Sequence, residues 1–262
     1  MSGSVSPNYR ERNSTADRAL DILLMFTDAQ LVVSGNAVAE RLGVARSTAY
    51  RYLQSLVNSR FLEEAPGGGF RLGLRVLEIA RLARRSYGLS EVALPAMTAL
   101  ADDIGGTILL TRRTEGLVVC VDRAESTSGA VRITYERGST LPLNAGASAL
   151  VLLAWIPEEE ARRLLETADL RRFTPATLTD VDTLIRRLAH IRRSGYSVTR
   201  GELDPDVIGI AAPIRNDQQQ VVAAVSFTSL SSRVFSEAET EIAQKLLKTA
   251  QEIGDRLSSV TD

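Results

Sequence analysis

Apolar positions recur with a helical period along the first sixty residues. Ala16, Ala19, Leu23 and Phe26 repeat at spacings of three and four, and Ser14 with Asp17 has the spacing of a capping box in which Asp replaces Glu. After the β-branched pair Val32-Val33, Ser34 is placed to cap a second helix, NAVAERL, whose Ala37, Val38 and Leu42 face inward and which stops at Gly43. A third helix, ARSTAYRYLQSLVNS, follows almost at once. At about 100° per residue Ala49, Leu53, Leu56 and Arg60 fall on one side with Tyr52 and Val57 flanking, while Ser47, Arg51, Gln54 and Asn58 fall opposite. Two short helices joined by a tight Gly-containing turn predict a helix-turn-helix. The stretch FLEEAPGGGFRLG then reads as two short strands, Phe61-Leu62 and Phe70-Arg71-Leu72, around a Pro-Gly loop. In this order the elements predict a winged helix-turn-helix over residues 14–73, preceded by a flexible tail over 1–13.

The outward face of the third helix carries hydrogen-bonding chemistry. Arg51 suits guanine or phosphate, the amides of Gln54 and Asn58 suit adenine, and the hydroxyls of Ser47 and Thr48 suit phosphates, with Arg46, Tyr50 and Ser55 near the edges. Any amphipathic surface helix shows a polar face, so the helix alone leaves DNA reading and a solvated surface both open. The hairpin that follows favours DNA, because it forms a wing whose tip backbone at Gly68 and whose Arg71 can approach phosphates.

The second half changes pattern. Leu74, Leu77 and Leu82 with Val76, Ile79, Ala80 and Ala83 make a broad apolar stripe on a linker helix over 74–90, which fits either a dimer contact or packing on its own domain. Beyond Pro95 a helix, AMTALADDIG, leads into TILLTRR, a turn at Glu115-Gly116, and LVVCVDR, which reads as a hairpin in a sheet with one face covered. In LNAGASALVLLAW, the residues Gly146, Ala147, Ser148 and Ala149 begin a helix. Their N–H groups and the helix dipole favour an anion such as a carboxylate; close packing of helix on sheet explains the small residues equally well. TDVDTLIRRLAHIRR reads as a helix capped by Thr179 and bearing His190, and VVAAVSFTSL as a strand with Ser226 and Thr228 on one side, pointing inward with Val222 and Ala224.

Composition and charge narrow the function classes. With 44% hydrophobic and 24% charged among 262 residues the chain is an ordinary globular protein, and its length allows two modest domains. The net charge of −1 conceals a division: residues 1–90 carry 12 Arg, no Lys and 8 acidic residues, whereas residues 91–262 carry 19 basic and 24 acidic residues. A basic reader joined to an acidic second domain fits that asymmetry. One cysteine, Cys120, excludes an intramolecular disulfide, and one histidine leaves too few ligands for zinc, so no metal or cofactor is expected. No apolar run approaches the ~18 residues of a membrane span, and the initial MSGSVSPNYRERNST lacks the apolar core of a signal peptide, so a cytoplasmic location without membrane partners is expected. GxSxG and GxxxxGK[ST] are both missing, and no catalytic residue is nominated. Two alternatives stay open: an enzyme using carboxylates, and a winged helix that docks protein.

Taken together, ADRALDILLMF, AERLGVARSTAYRYLQSL, FRLG, LRVLEIARLA, LPLNAGASALVLLAW, IRRSGYSVTRGELDPDVIGIAAPI and VVAAVSFTSL resemble the IclR family of bacterial transcriptional regulators, in the family's order and over roughly residues 14–235. The resemblance implies an α/β protein: a winged helix-turn-helix, a linker helix, and over 91–262 an α+β effector-binding domain with an antiparallel sheet like those of GAF and PAS modules. It implies operator DNA as partner, homodimers often paired into tetramers, and a small-molecule effector, with a repressor expected. The family's basic-Ser-Thr start of the recognition helix falls on Arg46, Ser47 and Thr48, and its basic residue within that helix on Arg51; Tyr50 stands where relatives often have His. The implied effector residues are Cys120, Asp122, Gly146, Ala147, Glu202, Gly209, Ser226 and Thr228.

Overall fold

A computed structural model describes residues 15–86, 88–114, 116–126 and 135–261. The expected tail, the expected cap Ser14 and the turn residue Glu115 lie outside them. The chain divides into two compact units between Ala83 and Arg84.

In the first unit α1 (Thr15–Leu23), α2 (Gly35–Leu42) and α3 (Arg46–Asn58) precede a hairpin of β1 (Leu62–Glu64) and β2 (Phe70–Leu72), and α4 (Leu74–Ser86) starts directly behind it. Ser34 caps α2 as its position predicts, its Oγ accepting the Ala37 N–H at 3.1 Å. Gly43, at φ 63°, ends α2 in the left-handed conformation that a residue without Cβ adopts cheaply. Ile22, Val38, Leu53, Leu62 and Phe70 meet in one core. Two features depart from the sequence pattern. Val33 exchanges backbone hydrogen bonds of 2.9 and 2.8 Å with Phe70, so it adds a third strand position to the wing. A single paired residue has no periodicity by which to read it. Arg60 does not join the inward face of α3; it lies beyond the helix end, exposed, with φ 62°.

The second unit is built on a six-stranded antiparallel sheet. Its strands are β3 (Thr107–Thr114), β4 (Leu117–Glu125), β5 (Thr140–Leu141), β6 (Ser197–Arg200), β7 (Val207–Arg215) and β8 (Val221–Leu230), in the order β5-β4-β3-β8-β7-β6. The helices are α5 (Leu89–Ile104), α6 (Ala147–Ala154), α7 (Glu158–Thr167), α8 (Val181–Ser194) and α9 (Ser236–Thr261). Leu89, Ala93, Met97 and Leu100 of α5 and Leu246, Ala250 and Ile253 of α9 pack with Ile108, Ile210 and Phe227 of the sheet. The remaining helices pack with Leu109, Ala211 and Ala224. Both sheet faces are therefore covered, which corrects the expectation of one; the nearly continuous burial of β8 is the signature of that arrangement.

Three smaller corrections have local causes. α5 begins at Leu89 and runs through Pro95, because its apolar stripe continues on both sides and outweighs the missing N–H. α8 is capped by Asp180 rather than Thr179: Asp180 Oδ2 accepts the Thr183 N–H at 2.8 Å, while Thr179 Oγ1 accepts from Arg172. A bulge pairs Ile214 with Ala223 and Arg215 with Val221, skipping Val222, which consequently packs on the α5 and α9 side instead of beside Ala224.

Candidate functional site

The first unit displays α3. Arg46, Ser47, Arg51, Gln54 and Asn58 are exposed and Thr48 is half-buried, while Ala49, Tyr52, Leu53 and Leu56 form the buried side. Arg46, Arg51 and Gln54 have no side-chain partner among the described residues, so their donors remain available to a ligand. Ser55 turns its hydroxyl back to Arg51 O at 3.0 Å. Tyr50 serves packing: the ring stands edge-on to Phe70 at 6.1 Å and lies over Gly35, where a Cβ would come within 2.6 Å of it. It braces the start of α2 against the wing. At the wing, Gly68 has φ 90° and an open tip, and Arg71 Nε meets Glu63 Oε1 across the hairpin at 2.6 Å.

The second unit contains a small, partly open cavity between the start of α6, the sheet and the loop ahead of β7. Gly146, Ala147, Glu202, Gly209, Ser226 and Thr228 all line it, together with Leu109, Tyr135, Ser148, Thr199 and Leu203. Cys120 and Asp122 do not, contrary to what the family resemblance implies. An irregularity in the β3/β4 pairing sets Asp122 opposite Leu110, which packs with the α5 and α9 residues, rather than opposite the cavity-lining Leu109. Asp122 is instead tied to Arg137 Nε at 2.5 Å. Cys120 is fully buried, and burial followed by the nearby Asp122 charge pushes its thiol up to about 11.

Local geometry explains the cavity's composition. Gly146 holds φ 88°, and a Cβ there would meet Leu203 at 2.9 Å. The first bond inside α6 runs from Leu150 N–H to Gly146 O, leaving the amides of Ala147, Ser148 and Ala149 ahead of it. Gly146 N–H donates to Glu202 Oε2 at 3.1 Å, and Ser148 and Ser226 share a buried hydroxyl–hydroxyl bond of 2.8 Å. Burial raises the Glu202 carboxyl above its ordinary range, opposed by the Gly146 N–H and by the charge of Arg187. Thr199 and Thr228, both buried, have no hydrogen-bond partner among the described residues. Of the lining groups that the sequence pattern did not single out, Ser148 belongs to the small-residue run already noted. Thr199 enters only through its pairing with Gly209 across β6 and β7.

No group of three His, Cys, Asp or Glu side chains among the described residues could hold a metal ion. Nor is any described helix long and apolar enough to cross a membrane.

A winged helix-turn-helix followed by a mixed α/β domain with a small cavity of its own is the architecture of a DNA-binding regulator. Residues 15–66 match the IclR helix-turn-helix domain and residues 82–255 the C-terminal domain of bacterial IclR transcriptional regulators, so the chain belongs to the IclR family. It is 31% identical over 222 residues to the HTH-type transcriptional regulator XynR of Escherichia coli, covering 84% of this chain and 87% of that one. It is 28% identical over 256 residues to the HTH-type transcriptional repressor AllR of the same species, covering 97% and 94%. A crystal structure of an IclR homologue from Microbacterium hydrocarbonoxydans complexed with 4-hydroxybenzoate superposes with a TM-score of 0.80 at 27% identity, over 94% of this chain and 100% of that one. These relatives are transcriptional regulators, not enzymes.

Proposed function

We propose that this protein is a cytoplasmic repressor that binds its operator as a dimer and releases or tightens its hold when a small carboxylate-bearing metabolite enters the second unit. Residues 14–73 form the reader, 74–90 the linker helix and 91–262 the effector-binding domain. The observation that carries the reading is the cavity against the first turn of α6, where unbonded amides, the positive helix end and free hydroxyls converge on one small space. The repressor role draws support from the name of AllR, and the carboxylate from 4-hydroxybenzoate in the Microbacterium structure.

In this reading Arg46, Ser47, Thr48, Arg51 and Gln54 meet the major groove, and Tyr50 sets the wing that carries Gly68 and Arg71. Dimerisation through α4 accounts for the exposure of Leu74, Leu77, Ile79 and Leu82, which otherwise wet a large apolar stripe, and supplies the second half-site reader. Pairing of dimers into tetramers is compatible with it. The effector regulates only by binding one arrangement of the paired readers better than the other.

The test is fluorescence anisotropy with a labelled promoter fragment from the protein's own gene neighbourhood. Saturable binding that competitor DNA does not displace, weakened by ~1–3 kcal/mol in Arg51→Ala, supports the reading. Equal affinity for competitor DNA overturns it. Ser226→Leu should remove the effector response and leave operator binding intact.

A further inference from the structure

Residues 171–178, between α7 and α8, form a strap tied to both walls of the cavity. Asn144, two residues ahead of Gly146, grips both ends of it: its Nδ2 donates to Arg171 O at 3.1 Å and to Leu178 O at 2.8 Å. The middle of the strap is fastened to the opposite wall. Thr177 Oγ1 accepts the N–H groups of Phe173 and Thr174 at 3.1 and 2.9 Å, and donates its single proton to Glu202 O at 2.6 Å. Thr174 Oγ1 accepts the Ala176 N–H at 3.1 Å and donates to Gly201 O at 2.5 Å. Two buried threonines thus deliver their protons to consecutive carbonyls and fix the main chain that bears Glu202.

That fixing decides where a negative charge sits. With its carbonyl held by Thr177, Glu202 extends its carboxylate to Gly146 N–H, at the very start of α6. An acid bound on the next amides, those of Ala147 and Ser148, stands beside this second carboxylate, and like charges in a buried site repel strongly. A proton donor on the ligand resolves the conflict. Glu202 Oε1 has no donor among the described residues, so a ligand hydroxyl can donate to it while the ligand carboxylate accepts from the α6 amides. Thr199 and Thr228 offer hydroxyls for the rest of the molecule.

We propose that Glu202 is the specificity-determining residue of the effector site, selecting acids that carry a neighbouring hydroxyl over acids that lack one, and that Thr177 is the residue that positions it. The proposal rests on the carboxylate reading above and adds the class of acid.

Calorimetry of the full chain with matched probes, glycolate against acetate and lactate against propionate, tests it. Wild type should bind the hydroxy acid about 10-fold more tightly than its partner, the worth of one charge-assisted hydrogen bond. Glu202→Gln removes the charge, so acetate and propionate should gain affinity and the ratio should shrink to about threefold. Thr177→Val should compress the ratio likewise, and Thr177→Ser, which keeps the hydroxyl, should restore it; operator binding and the circular dichroism spectrum verify folding in each variant. A purely structural Thr177 would lower both affinities and leave their ratio unmoved. Equal binding of paired probes by wild type, or an unchanged ratio in Glu202→Gln or Thr177→Val, overturns this proposal alone. Failure of wild type to bind any of the four acids overturns the carboxylate reading and this proposal with it.

Discussion

The polar face of α3 and the cavity beside α6, the two proposed recognition surfaces, would meet their targets under opposite conditions. On α3, Arg46, Arg51 and Gln54 stand in water without protein partners among the described residues, and hydration satisfies them until DNA arrives. In the cavity the polar groups are enclosed, and several already satisfy one another: Glu202 with Gly146, Ser148 with Ser226. A buried polar group without a partner is costly, so the groups that remain unbonded there, the first amides of α6 and the hydroxyls of Thr199 and Thr228, gain more from a ligand than exposed groups do. In the proposed function, DNA would replace water on an open face, whereas an effector would complete a partly bonded, enclosed set.

The largest effect tests the enclosed side. Leu150 of α6 is fully buried behind the cavity, and Leu150→Ala should destabilise the second unit by ~2–5 kcal/mol in urea unfolding. A loss well under 1 kcal/mol would show that this wall yields, and the contrast with the open face would fail. Next comes the start of α2. Ser34→Ala removes the cap from Ala37 N–H and should cost about 1 kcal/mol, measured on the same unfolding curve, with effector affinity unchanged.

The wing sharpens the comparison because its Arg71 is already paired, with Glu63 across the hairpin. Glu63→Gln frees Arg71 for phosphate and should strengthen operator binding by up to about 1 kcal/mol, the range of an exposed ion pair, while steepening the salt dependence. An unaltered salt slope would remove Arg71 from the DNA contacts.

The smallest effect is a pH dependence. Burial raises the Glu202 carboxyl, so the folded chain holds this proton more tightly than the unfolded chain does. Its contribution to stability is present below the ordinary carboxylate range and is lost as pH rises through the raised folded value. Arg187 of α8 opposes the shift; Tyr135, itself pushed upward by burial and by Asp204, lines the same cavity. Wild type minus Glu202→Gln, compared by urea midpoints from acidic to neutral pH, should show that slope, and a flat difference would contradict it.

The reader was legible because its determinants are local. Ser34 and Gly43 bracket α2 within ten residues, and the face of α3 follows from its own period. What escaped there depends on pairing across the fold: Val33 with Phe70, Tyr50 over Gly35, Arg71 with Glu63. In the second unit the run from Gly146 to Ala149 announced a helix start, and the family resemblance pointed to six residues that share one cavity. The strap could not be read, since Asn144, Thr177 and Glu202 meet only after three separate segments pack. Asp122 falls away from the cavity because a strand irregularity breaks the simple alternation of faces, while Cys120 stays on the cavity side of the sheet, buried in the packing with Leu109 and Ala147 rather than on the cavity lining.

The burial of Cys120 has a practical corollary. A thiol with no exposed surface, whose ionisation is pushed up to about 11, reacts slowly with maleimides and methanethiosulfonates at neutral pH. Because it is the chain's sole cysteine, a second one introduced on the exposed face of α3 or at the wing tip would be the reactive thiol without removal of the native one. In the proposed dimer, a spin label or fluorophore attached there would report the separation of the two readers on one operator, with wild type as the unlabelled control.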